Sequence, residues 1–385
     1  MTGPLAGVRV LELGGIGPGP FATLQLAGMG ADVVRVDRVG DVGGPDAGPV
    51  PLAAGKRSVA VDLRAPGGAE AALALVERAD VLVEGFRPGV AERLGLGPGA
   101  CHARNPALVY GRMTGWGQHG PWAQSAGHDI NYIALTGALH AIGRADGPPV
   151  VPLCLVGDLG GGGMYLVAGV LAALHEARAT GRGQVVDAAI VDGVAALMGP
   201  IYEMAAAGEW VDRRGSNQLD SGRPWYDVYP ARDGRYLAVG AIEDRFYARF
   251  AELLGLSPEE ADRTDPGCWP ALRERIAARF AAHDRAHWEA VFAGTDACVS
   301  PVLAMGEAPA HPHVAARGTL GPAGTAPAPR FDAHPPASPR PGPRAGEHTT
   351  QVLADWGGDV ALDGLLDAGA LAQWTPAVSP SGRPT

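Results

Sequence analysis

Apolar residues run in short unbroken stretches through the first half of the chain. Val8-Arg9-Val10-Leu11-Glu12-Leu13 reads as a buried strand, and Asp32-Val33-Val34-Arg35-Val36-Asp37 as the next. Further strands are predicted at Ser58–Asp62, Val81–Glu84 and Ala107–Tyr110. Between them, Phe21–Gly30 and Gly68–Ala79 carry the Ala/Leu spacing of helices, with a turn at Gly14–Pro20. Strands alternating with helices imply a parallel sheet covered on both faces. Helical patterns return at Ile130–Gly143 and Met164–Thr180, followed by a strand at Gln184–Ile190 and a helix from about Asp192 to Ala207.

Beyond Gly215 the pattern changes. Gly215–Pro224 is polar and Gly-rich, as expected of a crossover linker. Tyr226–Tyr229 and Tyr236–Val239 flank Asp233-Gly234, which predicts a hairpin. Helices follow at Glu243–Leu254, Trp269–Ala282 and Arg285–Phe292. The expected fold class is α/β: a doubly wound, Rossmann-like large domain with a smaller α+β domain. The boundaries are 1–200 for the large domain, 201–224 for a linker, 225–312 for the small domain and 313–345 for a Pro/Gly-rich linker. A C-terminal segment of about 330–375 is expected to pack back on the large domain. No internal repeat is visible.

Composition narrows the class. A chain of 385 residues is long for one core, which favours two domains. The net charge of -10 argues against a nucleic-acid partner, which would need a basic face. The four cysteines are far apart and form no Cys-x-x-Cys pair, so they are expected to be thiols in a reducing compartment, with a cytoplasmic location. No signal peptide is expected. No stretch of 18 residues is apolar without polar interruption, so no membrane span is expected. No metal site is expected.

Three features could carry chemistry. The turn Gly15-Ile16-Gly17-Pro18-Gly19-Pro20 follows a strand and opens a helix, as a dinucleotide fingerprint does. Pro20 stands where the third glycine belongs, and Arg35 and Arg38 suit a phosphate better than a ribose diol. A glycine-rich turn with no ligand is the plainer alternative. Basic residues cluster in the loops of this half: Arg35, Arg38, Lys56, Arg57, Arg87, Arg93 and Arg112. They are either a solvated surface or a grip for a phosphate-bearing ligand. Finally, Gly127-His128-Asp129-Ile130-Asn131-Tyr132 and Gly157-Asp158-Leu159 each place an ionisable group ahead of an apolar helical run. A helix start favours the Asp158 anion. Asp158 could simply be an N-cap. The four glycines that follow it, Gly160–Gly163, point instead to close approach of a ligand.

At these residues the chain resembles the family III CoA-transferase superfamily, and within it the racemases. The motifs run from Gly7-Val8-Arg9-Val10-Leu11-Glu12-Leu13 through Glu84-Gly85-Phe86-Arg87-Pro88-Gly89 and Thr114-Gly115-Trp116-Gly117-Gln118 to Gly240-Ala241-Ile242-Glu243. The resemblance implies interconversion of (R)- and (S)-2-methylacyl-CoA by 1,1-proton transfer through an enolate. It places bases at His128, supported by Glu243, and at Asp158. It assigns substrate and CoA contacts to Ile16, Arg38, Lys56, Arg87, Asp129 and Tyr132. It implies no cofactor beyond the CoA carried by the substrate, a place in fatty acid metabolism, and an interlocked homodimer with no membrane partner. Phe21 departs from the racemase pattern, which often has His there. Two alternatives remain: a family III CoA-transferase using Asp158 as nucleophile, and a non-catalytic acyl-CoA binding protein.

Overall fold

The computed structural model describes residues 3–43, 50, 52–321, 324–335, 341–357 and 362–376. Parts of the expected 313–345 linker (322–323 and 336–340) and of the 330–375 segment (336–340 and 358–361) lie outside the described residues.

Two compact units are present. The first draws on Met1–Thr136, Leu153–Leu197 and Gly321–Thr385. Its sheet is built from β1 (Arg9–Leu13), β2 (Asp32–Asp37), β3 (Arg57–Val61), β4 (Val81–Glu84), β5 (Val109–Thr114) and β6 (Val185–Ala189). These strands lie in the order β3-β2-β1-β4-β5-β6, all parallel. A seventh strand, Leu371–Ala372, pairs antiparallel with β3. Apolar side chains on both faces explain the unbroken apolar runs: Leu11, Val34, Val59 and Leu82 are buried with Leu75, Tyr110 and Trp356. The strand order reverses between β1 and β4. Open α/β sheets bind ligands at such a point, outside the carboxyl ends of the strands.

Beneath that point lies a buried polar network. Glu12 of β1 accepts from Lys56 Nζ at 2.7 Å and Arg35 Nη1 at 3.1 Å. Lys56 also donates to Pro20 O at 2.9 Å and Thr23 Oγ1 at 2.8 Å, so all three of its hydrogens are used. Arg35 bonds Asp37 at 2.7 Å. The network ties the strands to the helix Pro18–Gly28.

The glycine-rich segment around Asp158, read from the sequence as lying ahead of a helix, is itself helical. Leu155–Met164 is a π-helix that runs directly into the α-helix Tyr165–Thr180. Its glycines admit protein rather than ligand. A Cβ at Gly161 would stand 2.5 Å from Val194 Cγ2, one at Gly162 2.9 Å from Ile190 Cγ1, and one at Gly163 2.6 Å from Phe21 Cδ1. The glycines thus let the helices Ile190–Leu197 and Pro18–Gly28 approach closely. The continuous helix Leu155–Thr180 is long and apolar enough to cross a membrane by length and composition. It lies on the sheet, where Leu166 and Val170 meet Gly111 of β5 and Gly169 meets Val186 of β6.

Two expected helices are broken in two. Ile130–Gly143 is Asp129–Leu135 and Ala138–Ala141, separated where Gly137 takes φ 73°. Asp192–Ala207 is Ile190–Leu197 and Gly199–Ala206, the second opened by Pro200.

The second unit comprises Gly137–Pro152 and Met198–Leu320. Its three-stranded antiparallel sheet joins Tyr226–Pro230, Tyr236–Gly240 and Val299–Val302. The hairpin turns at Gly234, φ 74°. Phe250, Leu272, Ile276, Phe280 and Leu237 form its core. Gly137–Pro152 falls inside the range 1–200 expected for the large domain. It groups here because Arg144 pairs with Asp227 at 2.5 Å and Arg214 donates to His140 O at 2.7 Å.

Candidate active site

A cleft of about 640 Å³ opens in the first unit at the carboxyl ends of β1, β4 and β5. Three loops form its walls: Gly15–Pro20 after β1, Gly85–Pro88 after β4, and Thr114–Trp116 after β5. Each follows a parallel strand, so sheet topology alone brings them together.

Of the residues singled out in the sequence, Ile16, Arg87, His128, Tyr132 and Asp158 all line this cleft. They come from four separate stretches of chain. His128 caps the helix Asp129–Leu135, where its N–H donates to Asn131 Oδ1 at 3.0 Å. This local bond fixes the helix start and leaves the exposed imidazole at the cleft.

Asp158 is half-buried inside the π-helix, whose N-cap is Cys154, so capping does not account for it. Its carboxylate reaches the opposite wall, where a Cβ on Gly17 would be 3.2 Å from Oδ2. Gly17 has φ 71°, a conformation that favours glycine. Burial raises the Asp158 pKa, Asp129 adds to the rise, and His128 opposes it. No hydrogen bond among the described residues is accepted by its carboxylate, so loss of water outweighs the pull of the helix start.

Asp129 lies beneath the cleft wall. Its Oδ1 accepts from the Asp158 N–H at 2.6 Å, while its Oδ2 is buried without a hydrogen-bond partner among the described residues. Tyr132 donates to Gly127 O at 2.5 Å and meets Trp116 edge to face, with ring centroids 4.7 Å apart. A Cβ at Gly115 would collide with the Tyr132 ring at 2.0 Å. Burial raises the Tyr132 pKa, with the Asp158 charge adding to it, so the phenol is neutral near pH 7.

The remaining residues fall elsewhere. Arg38 is exposed just beyond β2. Lys56 is buried in the Glu12 network, with no hydrogen left for a phosphate. Arg35, read from the sequence as suited to a phosphate, is likewise occupied by Glu12 and Asp37. Glu243 belongs to the second unit, exposed at the cap of the helix Asp244–Leu254.

Pattern reading overlooked Glu84, at the end of β4. Its Oε2 accepts from the Phe86 N–H at 2.7 Å, pinning the loop that carries Arg87. Burial pushes its pKa up to about 7, against the pull of that N–H and of Arg112. A lone Glu closing an apolar strand was its only signal. Among the described residues no group of His, Cys, Asp and Glu could hold a metal ion.

The profile described as CoA-transferase family III matches residues 5–349. The chain is 44% identical over 360 residues to alpha-methylacyl-CoA racemase of Mus musculus, spanning 92% of this chain and 93% of that protein. Identity to the Homo sapiens alpha-methylacyl-CoA racemase is 42% over 364 residues, with the same shares. The succinyl-CoA–D-citramalate CoA-transferase of Chloroflexus aurantiacus is 39% identical over 277 residues, 68% of this chain and 67% of that protein. Among solved structures, a CAIB/BAIF family protein from Brucella suis matches with TM-score 0.79 and 26% identity, over 92% of this chain and 100% of that one.

Proposed function

The chain belongs to CoA-transferase family III, and from that premise we propose that it is an α-methylacyl-CoA racemase, interconverting the (R) and (S) forms at C2 of a 2-methylacyl-CoA. The observation that carries this reading is the pairing of His128 with Asp158 in one cleft, the carboxyl of the pair biased toward its acid form by burial.

The α-proton of a thioester is weakly acidic. One base takes it from C2, the electron pair passes into the thioester carbonyl as an enolate, and the conjugate acid of the other base returns a proton to the opposite face. The two bases must therefore rest in opposite protonation states. Burial moves the Asp158 carboxyl toward the acid form that this requires of one partner. The N–H groups that open the Asp129–Leu135 helix are assigned to the enolate oxygen. Arg87 and Arg38, both exposed, are assigned to the CoA phosphates, and Ile16 to its apolar surface. Glu243, from the small unit of a second copy, would orient the His128 imidazole and stabilise its cation. The protein is then a homodimer with shared sites.

The rival reading makes Asp158 the nucleophile of a CoA-transferase, passing through a mixed anhydride. The 39% identity to a CoA-transferase favours considering it. One experiment separates the two: incubation with a 2-methylacyl-CoA in deuterated water, without a second carboxylic acid. Deuterium at C2 with loss of stereochemistry is expected. No exchange, together with a hydroxylamine-trappable acyl group on Asp158, would move the protein to the transferases.

A further inference from the structure

We infer that Asp129 is a positioning residue for Asp158: its carboxylate anchors the Asp158 peptide and, as a fixed negative charge beside it, favours the acid form needed in half of each cycle. The inference rests on the proton-transfer reading above. It departs from the substrate contact that the family resemblance assigned to Asp129.

Three observations converge. First, Asp129 Oδ1 accepts from the Asp158 N–H at 2.6 Å, a short charge-assisted bond between two segments 29 residues apart. Second, room is made for this carboxylate. A Cβ on Gly157 would stand 2.2 Å from Asp129 Oδ1 and 3.0 Å from Ile133 Cγ2, so only glycine fits before Asp158. Third, Asp129 Oδ2 is buried with no partner among the described residues. An amide would accept the same N–H without bringing a charge out of water. The hydrogen bond alone therefore gives no reason for a carboxylate here. The charge does, because a like charge nearby disfavours a second anion.

The surroundings leave Asp129 as the nearby anion that acts this way. Asp158 is raised by burial, then by Asp129, and lowered by His128. Tyr132 faces it as a neutral phenol. The Gly14–Pro20 turn and the Pro18–Gly28 helix bring no ionisable side chain, and the Ile190–Leu197 helix carries only Asp192.

The test is the titration of Asp158 itself. The full-length protein is labelled with carbon-13 at the aspartate carboxyls, and the Asp158 signal is assigned by its loss in Asp158→Ala. Asp129→Asn keeps an oxygen for the N–H and removes the charge. The Asp158 midpoint should fall by about one unit or more. The acid limb of the kcat/KM profile for epimerisation should move to lower pH with it. Asp129→Ser, in which a hydroxyl can accept the same N–H, should give the same shift and serves if the first variant fails to fold. An unchanged midpoint in a folded variant, with activity lowered equally at every pH, would overturn the inference and leave Asp129 a structural residue. The titration is read without turnover. The racemase reading fails separately, if Asp158→Ala retains racemisation at C2.

Discussion

At Asp158 two physical effects oppose each other: a helix start favours the anion, and burial the acid. Burial raises its pKa, Asp129 adds to the rise, and no donor among the described residues reaches its carboxylate. Asp158→Ala should lower racemisation by about 10²-fold or more, since one face of C2 then lacks its base. Turnover near wild type in a variant with native circular dichroism would refute the two-base mechanism. Glu84 makes a second prediction at this scale. Burial raises its pKa from 4.5 to about 7, so the folded protein keeps a proton that the unfolded chain releases in between. Its contribution to stability is full below 4.5 and is lost as pH rises through 7. Glu84→Gln avoids ionising a buried carboxyl and should be more stable than the parent at pH 8, by at most about 3 kcal/mol, with little difference at pH 4. Urea midpoints at the two pH values measure this, and equal differences at both would count against it.

The π-helix Leu155–Met164 is the element that delivers Asp158 to the cleft. It does so by lying flush against the Ile190–Leu197 helix through glycine contacts on both sides. A Cβ on Gly193 would sit 1.8 Å from Gly161 O, and one on Gly161 2.8 Å from Val194 N. Backbone on both sides cannot give way as a flexible side chain can. Gly161→Ala should therefore destabilise the protein by about 1–3 kcal/mol, the usual cost of overpacking. It should also reduce kcat more than KM, because the forced separation begins three residues from Asp158. A thermal scan and steady-state kinetics report on the two effects. A variant with unchanged melting temperature would show that the two helices slide apart at no cost. The neighbouring Gly163 rests against Phe21, so the side chain at position 21 shapes the same wall.

At the scale of the whole molecule, His128 and Asp158 share one unit while Glu243 belongs to the other. If a second copy completes the site, His128→Ala and Glu243→Ala chains should complement when refolded together. Each mixed dimer would hold one intact site and one doubly substituted site. Recovered activity of up to about half the parental level per mixed dimer is expected. Mixed dimers that form but stay inactive would place His128 and Glu243 on the same chain or uncouple them.

Much of this architecture is legible in the chain itself. Val, Leu and Ala runs mark the strands, because a strand covered on both faces buries the side chains of both. His128 and Asp158 stand out for the same local reason: an ionisable residue among small ones before a helix. Other features depend on residues that meet only after folding. The glycines at 160–163 read as a loop because glycine usually breaks regular structure. They are helical because other helices need that space. Lys56 reads as a phosphate ligand because nothing nearby in the chain reveals Glu12, 44 residues away, which holds it in the interior. The Asp129–Asp158 bond also spans distant segments. Local pattern determined the elements and nominated the ionisable groups. Tertiary contact alone decided which of them face the cleft and which are paired beneath it.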